Sequence, residues 1–320
     1  MMQVQIPTFC VMKCRLGASV AACALLALAP LLISAQELTL RVDVKLVNVF
    51  VNVTDRNGAI VSGLTREDFA LAEDGRPQQI AVFERQSELP LSLTLAIDTS
   101  GSVRKDMAAE ADAARRFAHA ILLPRDSMSL LEFATETREI TPFTSKVGQI
   151  DRGLGQLHGD WSTALYDAIV AASERLGKNP ERSPRRVLVL VSDGDDTASK
   201  ATYSQALEAA LRNEVMIYTI IDVPIEASAG RDLGGEHALI TLAEETGGKS
   251  FYAGDGGLDK AFAQVSGDLR TQYLLGYYPK NQKPGGPFHR VQVTIPRAAA
   301  GEFNIRHKSG YYLDPAAKGN

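Results

Sequence analysis

The chain has 320 residues, of which 45% are hydrophobic and 22% charged, with a formal net charge of -4. This is ordinary globular material, long enough for one large domain or two modest ones, and it excludes a disordered chain. Acidic and basic residues are spread throughout, with no basic stripe to neutralise phosphates, which excludes nucleic acid as a partner.

The N-terminus has the pattern of an export signal. Lys13 and Arg15 precede an acid-free apolar run over residues 16–35, which ends in small residues before Gln36 and Glu37. Cleavage is expected after Ala35, so residues 1–35 are read as a signal peptide and the protein as exported to a periplasm, cell envelope or extracellular space. The run is also about long enough to cross a bilayer. An uncleaved anchor is therefore the alternative, and membrane contact is expected only in that case. Val20-Ala21-Ala22-Cys23 also has the look of a lipoprotein cleavage box. All three cysteines, Cys10, Cys14 and Cys23, lie in this leader. A chain beginning at Gln36 has no disulfide and no thiolate, so its fold must rest on its core and on any bound metal.

Beyond the leader, residues alternate as in a half-buried strand: Leu38, Leu40, Val42, Val44 and Leu46, then Val47, Val49, Val51 and Val53. The parity switch between Leu46 and Val47 predicts a bulge or break. Asn57-Gly58 supplies a hairpin turn. Thr65-Arg66-Glu67-Asp68 reads as a short capped helical turn, 69–73 as a strand, Asp74-Gly75 as a turn and 79–84 as a further strand.

After Pro90 strands alternate with helices. Strands are expected at 91–97, 129–133, 139–143, 186–191, 215–222 and 249–252. Helices are expected from Met107 to Ile121 and over 163–176, 203–212, 237–246 and 258–269. The run over 91–97 is almost continuously apolar, as a parallel strand covered on both faces should be. The tail returns to strands at 273–278, 291–295, 303–307 and 311–313, with a Gly- and Pro-rich loop over 281–287. The predicted fold is α/β: a doubly wound, mostly parallel sheet inserted in a small β-sandwich made by the two terminal segments. The corresponding boundaries are 36–88 and 272–314 for the sandwich, 89–271 for the inserted domain and 315–320 for a tail.

Three segments carry chemistry: Asp98-Thr99-Ser100-Gly101-Ser102 after the first parallel strand, Thr163 at a helix start, and Asp193 after the strand ending Leu190-Val191. All lie at or near the carboxyl ends of strands, where open α/β sheets bind ligands. Hydroxyls of Ser100, Ser102 and Thr163 with carboxylates of Asp98 and Asp193 form an all-oxygen set suited to Mg²⁺ or Mn²⁺, with Ca²⁺ the lesser fit. If the hydroxyls bind directly and the aspartates act through water, the cation stays electron-poor and keeps an open position. An Asp or Glu carboxylate of another protein is the natural occupant. The bland readings are that Asp98, Ser100 and Ser102 cap the following helix and that Thr163 is a plain N-cap. Asp195 and Asp196 read as loop or helix-start charges, and the five histidines show no ligand spacing.

The set resembles the metal-ion-dependent adhesion site of von Willebrand factor type A domains: D-x-S-x-S, a Thr in a second loop and an Asp in a third. Here these are Asp98, Ser100 and Ser102, then Thr163 within Gly159-Asp160-Trp161-Ser162-Thr163-Ala164-Leu165-Tyr166-Asp167, then Asp193 within Val191-Ser192-Asp193-Gly194. The resemblance covers roughly residues 91–270. The flanking β segments, with Tyr273-Leu274-Leu275-Gly276-Tyr277-Tyr278-Pro279, look like a bacterial exported subgroup related to that family. The family implies a non-enzymatic binding module for adhesion or assembly, with a last helix, here 258–269, that moves in some members.

Two other classes compete. Asp98-Thr99-Ser100-Gly101 is close to the Asp-Thr-Gly of aspartic proteases, but Ser100 intervenes and the motif opens a helix in an α/β pattern. A Mg²⁺-dependent hydrolase is the better enzyme alternative, although no His lies within the motifs, so Asp195 or Glu244 would have to serve as base. The third reading is a degenerate scaffold that binds partners without metal.

Overall fold

A computed structural model describes residues 46–85, 89–101, 107–179, 185–222, 233–254, 257–280, 288–299 and 301–312. The leader, the strand expected over 38–44 and Ser102 lie outside the described residues. No helix among the described residues is long and apolar enough to cross a membrane.

The central sheet has six strands: β5 (Leu91–Asp98), β6 (Ser127–Phe133), β7 (Thr137–Thr144), β8 (Arg185–Ser192), β9 (Val215–Ile221) and β10 (Ser250–Tyr252). Their order is β10-β9-β8-β5-β6-β7, parallel except for β7, which runs antiparallel to β6 at one edge. Every residue of β5, β6 and β9 is buried, as expected of strands covered on both faces.

Helices α1 (Met107–Ile121), α2 (Val147–Leu154) and α6 (Gly257–Arg270) cover one face. There Leu93, Leu95 and Ile97 meet Ala114, Phe117, Ile150 and Phe262. Helices α3 (Leu165–Lys178), α4 (Tyr203–Arg212) and α5 (Leu233–Thr246) cover the other, where Ala96, Leu131 and Leu190 meet Ile169, Ala206 and Leu242. The period-2 alternation of the strands thus serves two separate cores.

Two smaller sheets form the sandwich. One has the order β13-β1-β11-β4, from β1 (Val47–Asp55), β4 (Ile80–Arg85), β11 (Tyr273–Tyr277) and β13 (Phe303–Arg306). The other has the order β14-β12-β2-β3, from β2 (Ala70–Glu73), β3 (Arg76–Gln78), β12 (His289–Thr294) and β14 (Gly310–Tyr311). Strand β1 lies between two C-terminal strands, with Val49 opposite Leu275 and Val53 opposite Ile305. Residues 47–85 and 273–311 therefore build one unit, and the α/β part is inserted between them. Val47, Val49, Val51 and Val53 face a core shared with Leu71, Tyr277, Val291 and Val293.

Local signals act as their chemistry dictates. Asp74 and Gly75 take φ of 49° and 75° at the tight turn from β2 to β3. The 3-10 turn Arg66–Asp68 has a capping box, with Asp68 accepting from the Thr65 N–H at 2.7 Å.

Candidate metal centre

Asp98 is the last residue of β5, and Ser192 the last of β8, its neighbour in the sheet. Ser192 donates its hydroxyl to Asp98 Oδ2 at 2.7 Å, and the Ser100 N–H donates to Asp98 Oδ1 at 2.9 Å. Asp98 is 1% exposed. Burial pushes its carboxyl up to about 6; the Ser192 and Ser100 hydrogen bonds oppose the rise, and the nearby Asp193 carboxylate adds to it. Asp98 and Asp193 are thus close enough to repel each other.

Asp193 opens the loop after β8 and is half-buried; its Oδ1 accepts the Asp195 N–H at 3.1 Å. The next residue, Gly194, has φ of +98°, and a Cβ there would stand 2.8 Å from the Gly235 carbonyl carbon. Only glycine fits both the conformation and the space.

Thr163 precedes helix α3 by two residues and is buried. Helix α3 begins two residues later than the sequence pattern predicts, because the backbone of Thr163 is engaged elsewhere. Its N–H donates to Thr197 Oγ1 at 2.9 Å, and its carbonyl accepts from the N–H groups of Thr197 and Ala198, each at 2.9 Å. The N-cap position is Ala164, so Thr163 is not the N-cap. Asp196 instead accepts the Leu165 N–H at 2.9 Å, and Ser199 Oγ accepts the Tyr166 N–H at 2.9 Å. Among the described residues the Thr163 hydroxyl makes no hydrogen bond.

The three loops are joined directly. Asp160 donates its N–H to the Thr99 carbonyl at 3.0 Å, which ties the loop before α3 to the loop after β5. The bonds from Thr197 and Ala198 tie it to the loop after β8. Trp161 is 83% exposed, and its ring lies 3.7 Å from where a Gly101 Cβ would stand.

Among the described residues no Lys, Arg or His pairs with Asp98 or Asp193. A buried carboxylate with a second carboxylate beside it and no cationic partner, in loops bonded to the one that carries Thr163, suits a hard divalent cation. Asp98, Ser100, Thr163 and Asp193 would hold it, with Ser102 outside the described residues.

Residues 93–195 match the family model described as von Willebrand factor type A domain. The chain carries a von Willebrand factor type A domain. The matched span of this A domain runs from β5 to just past Asp193 and contains all five positions of the sequence motif. No curated protein matches the chain.

Similar solved structures include BatB from Bacteroides thetaiotaomicron, at 17% identity and TM-score 0.46, covering 56% of this chain and 97% of that one. A von Willebrand factor type A protein from Catenulispora acidiphila has 13% identity and TM-score 0.49, covering 84% and 74%. The vWF domain of the type V pili tip protein Mfa5 from Porphyromonas gingivalis has 12% identity and TM-score 0.45, covering 56% and 94%.

One further cluster lies outside the A domain's motif. Glu73, Asp74 and His289 bring three ligand atoms within 4.8 Å of one another. His289 and Asp74 are 215 positions apart, so no local spacing marks the set in the sequence.

Proposed function

We propose that this chain is a non-enzymatic binding module that captures a protein partner through a divalent cation, Mg²⁺ or Mn²⁺, with Ca²⁺ the lesser fit. Ser100, Ser102 and Thr163 coordinate the ion directly, while Asp98 and Asp193 orient it through hydrogen bonds and water. An Asp or Glu carboxylate of the partner completes the coordination. The observation that carries this reading is Asp98: a carboxylate buried beside Asp193 without a cationic side chain is costly unless a cation joins it.

Two further features support a role in adhesion or assembly. The rim around the loops offers Trp161 to solvent, and exposed Trp is a favoured anchor in protein interfaces. The export pattern of residues 1–35 supports a module in a bacterial envelope or outside the cell, where such capture is of use.

The test uses the immobilised chain with envelope or matrix extract, in Mn²⁺ or Mg²⁺ and then in chelator, beside a Thr163→Ala variant. The reading expects a discrete protein retained with metal, released by chelator and not retained by T163A. Retention indifferent to both the metal and the variant would instead favour a scaffold that binds without metal.

A further inference from the structure

We propose that the sandwich holds a second metal site, independent of the A-domain loops, in which Glu73 Oε1, Asp74 Oδ2 and His289 Nδ1 bind one Zn²⁺ ion. His289 opens β12, Glu73 closes β2 and Asp74 begins the adjoining turn. His289 Nδ1 lies 2.9 Å from Asp74 Oδ2 and 3.9 Å from Glu73 Oε1. Zinc bonds of about 2.0–2.2 Å in a tetrahedron set ligand atoms roughly 3.3–3.5 Å apart. The two separations from His289 bracket that value, and all three ligand atoms lie within 4.8 Å of one another, so small side-chain shifts bring them onto one ion.

The surroundings are built to aim these groups. Glu73 is buried, and its Oε2 accepts two phenol hydroxyls, from Tyr277 at 2.6 Å and Tyr311 at 2.8 Å. That leaves Oε1 directed at the His289 ring and, among the described residues, accepting no hydrogen bond. Asp74 Oδ1 accepts the Arg290 N–H at 2.9 Å, which turns Oδ2 toward the imidazole. The ring itself stacks on Tyr311, with centroids 5.5 Å apart and planes 28° apart. Partner groups that orient ligands in this way are the usual second layer of a metal site.

A simple hydrogen bond between His289 and Asp74 accounts for less. It leaves Glu73 Oε1 unused, 3.9 Å from the imidazole Nδ1. A metal ion at Nδ1 draws Glu73 Oε1 into its coordination and so uses that oxygen. One imidazole nitrogen and two carboxylates neutralise Zn²⁺ and suit it better than Mg²⁺, which prefers six oxygens. The fourth position falls to water. The effect is a cross-link between the two ends of the chain, since Asp74 and His289 are 215 positions apart. All three cysteines lie within the first 23 residues, so the sandwich has no disulfide to do this.

The test titrates chelator-stripped full chain with Zn²⁺ and with Co²⁺, following thermal unfolding and the visible absorption of tetrahedral Co²⁺. Wild type and Asp98→Asn should each take up one equivalent at this site, with a raised unfolding midpoint and a Co²⁺ band. His289→Gln should lose both while keeping the far-ultraviolet circular dichroism of the wild type. If H289Q fails to fold, Glu73→Gln and Asp74→Asn serve in its place, with direct zinc counting on wild type by a chromophoric chelator. A wild-type chain that takes up no zinc, or a response unchanged in the folded ligand variants, overturns the proposal. The use of D98N keeps this outcome separate from the fate of the A-domain site.

Discussion

Ser192 gives its hydroxyl to Asp98 Oδ2 at 2.7 Å, so the end of strand β8 fixes the carboxylate at the end of β5. The same Ser192 oxygen accepts the Gly194 N–H at 3.1 Å, which sets the path of the loop carrying Asp193. One hydroxyl thereby positions both acids, and their proximity is a property of neighbouring strands in the sheet.

That proximity has a cost in the metal-free protein. The folded Asp98 carboxyl titrates at about 6 against an ordinary 3.8, so it holds its proton to higher pH than the unfolded chain does. Metal-free stability therefore falls as pH rises from 3.8 towards 6 and stays reduced above that, by about 3 kcal/mol. Asp98→Asn removes the charge and keeps the shape. Urea unfolding at neutral pH should show the metal-free variant more stable than wild type by up to about 3 kcal/mol. A variant less stable than wild type would remove the electrostatic account of this site.

His307 has the opposite sign. Burial holds its imidazole below the usual value of 6.5, and it is placed as a neutral acceptor: Nε2 receives the Val293 N–H at 3.1 Å while Nδ1–H donates to the Lys308 carbonyl at 2.8 Å. The unfolded chain takes up this proton first, so the contribution is complete above pH 6.5 and is lost as pH falls through and below it. In an Asp98→Asn background, His307→Gln should flatten the decline in stability on acidification from about pH 7 to 5. An unchanged slope would show that another group controls it.

Helix α6 is pinned to the sandwich through Asp268. Arg306 of β13 and the Tyr218 hydroxyl both donate to Asp268 Oδ2, the latter at 2.8 Å, and Asn52 of β1 donates to the Asp268 carbonyl at 2.9 Å. Arg306→Met leaves a nearly buried carboxylate without its cation and should cost about 3 kcal/mol in chemical unfolding. Asp268→Asn with Arg306→Met should cost less than the two single changes added together. Additive costs would mean that the pair is not coupled.

Trp161 tests the proposed binding face separately from the proposed cation site. Trp161→Ala removes an exposed ring beside Gly101 and should leave metal affinity unchanged while weakening capture of the partner by about tenfold or more. Equal capture by variant and wild type would place the interface elsewhere.

Much of the fold was legible because its core strands are extreme. The run over 91–97 is apolar enough to mark a doubly covered strand, and the valines at 47, 49, 51 and 53 mark a half-buried one. Strand β3 was not legible: Arg76-Pro77-Gln78 is polar and holds a proline, tolerated because β3 is an edge strand. Helix α2 was missed because Gly148 and Gly153 depress its helical propensity. Gly153 is needed there, since a Cβ would fall 2.2 Å from Thr141 Oγ1. The motif acids and hydroxyls of the A domain could be picked out by spacing. Ser192, Thr197, Asp196 and Ser199 could not, because their roles rest on bonds across about 30 to 94 positions.

The central claim is that Asp98 belongs to a cation site. Calorimetric titration of Mn²⁺ and Mg²⁺ into chelator-treated wild type, Asp98→Asn and His289→Gln addresses it most directly. The account predicts a saturable one-to-one isotherm in wild type and H289Q that is absent in D98N. No saturable heat in wild type, or the same isotherm in D98N, would contradict it.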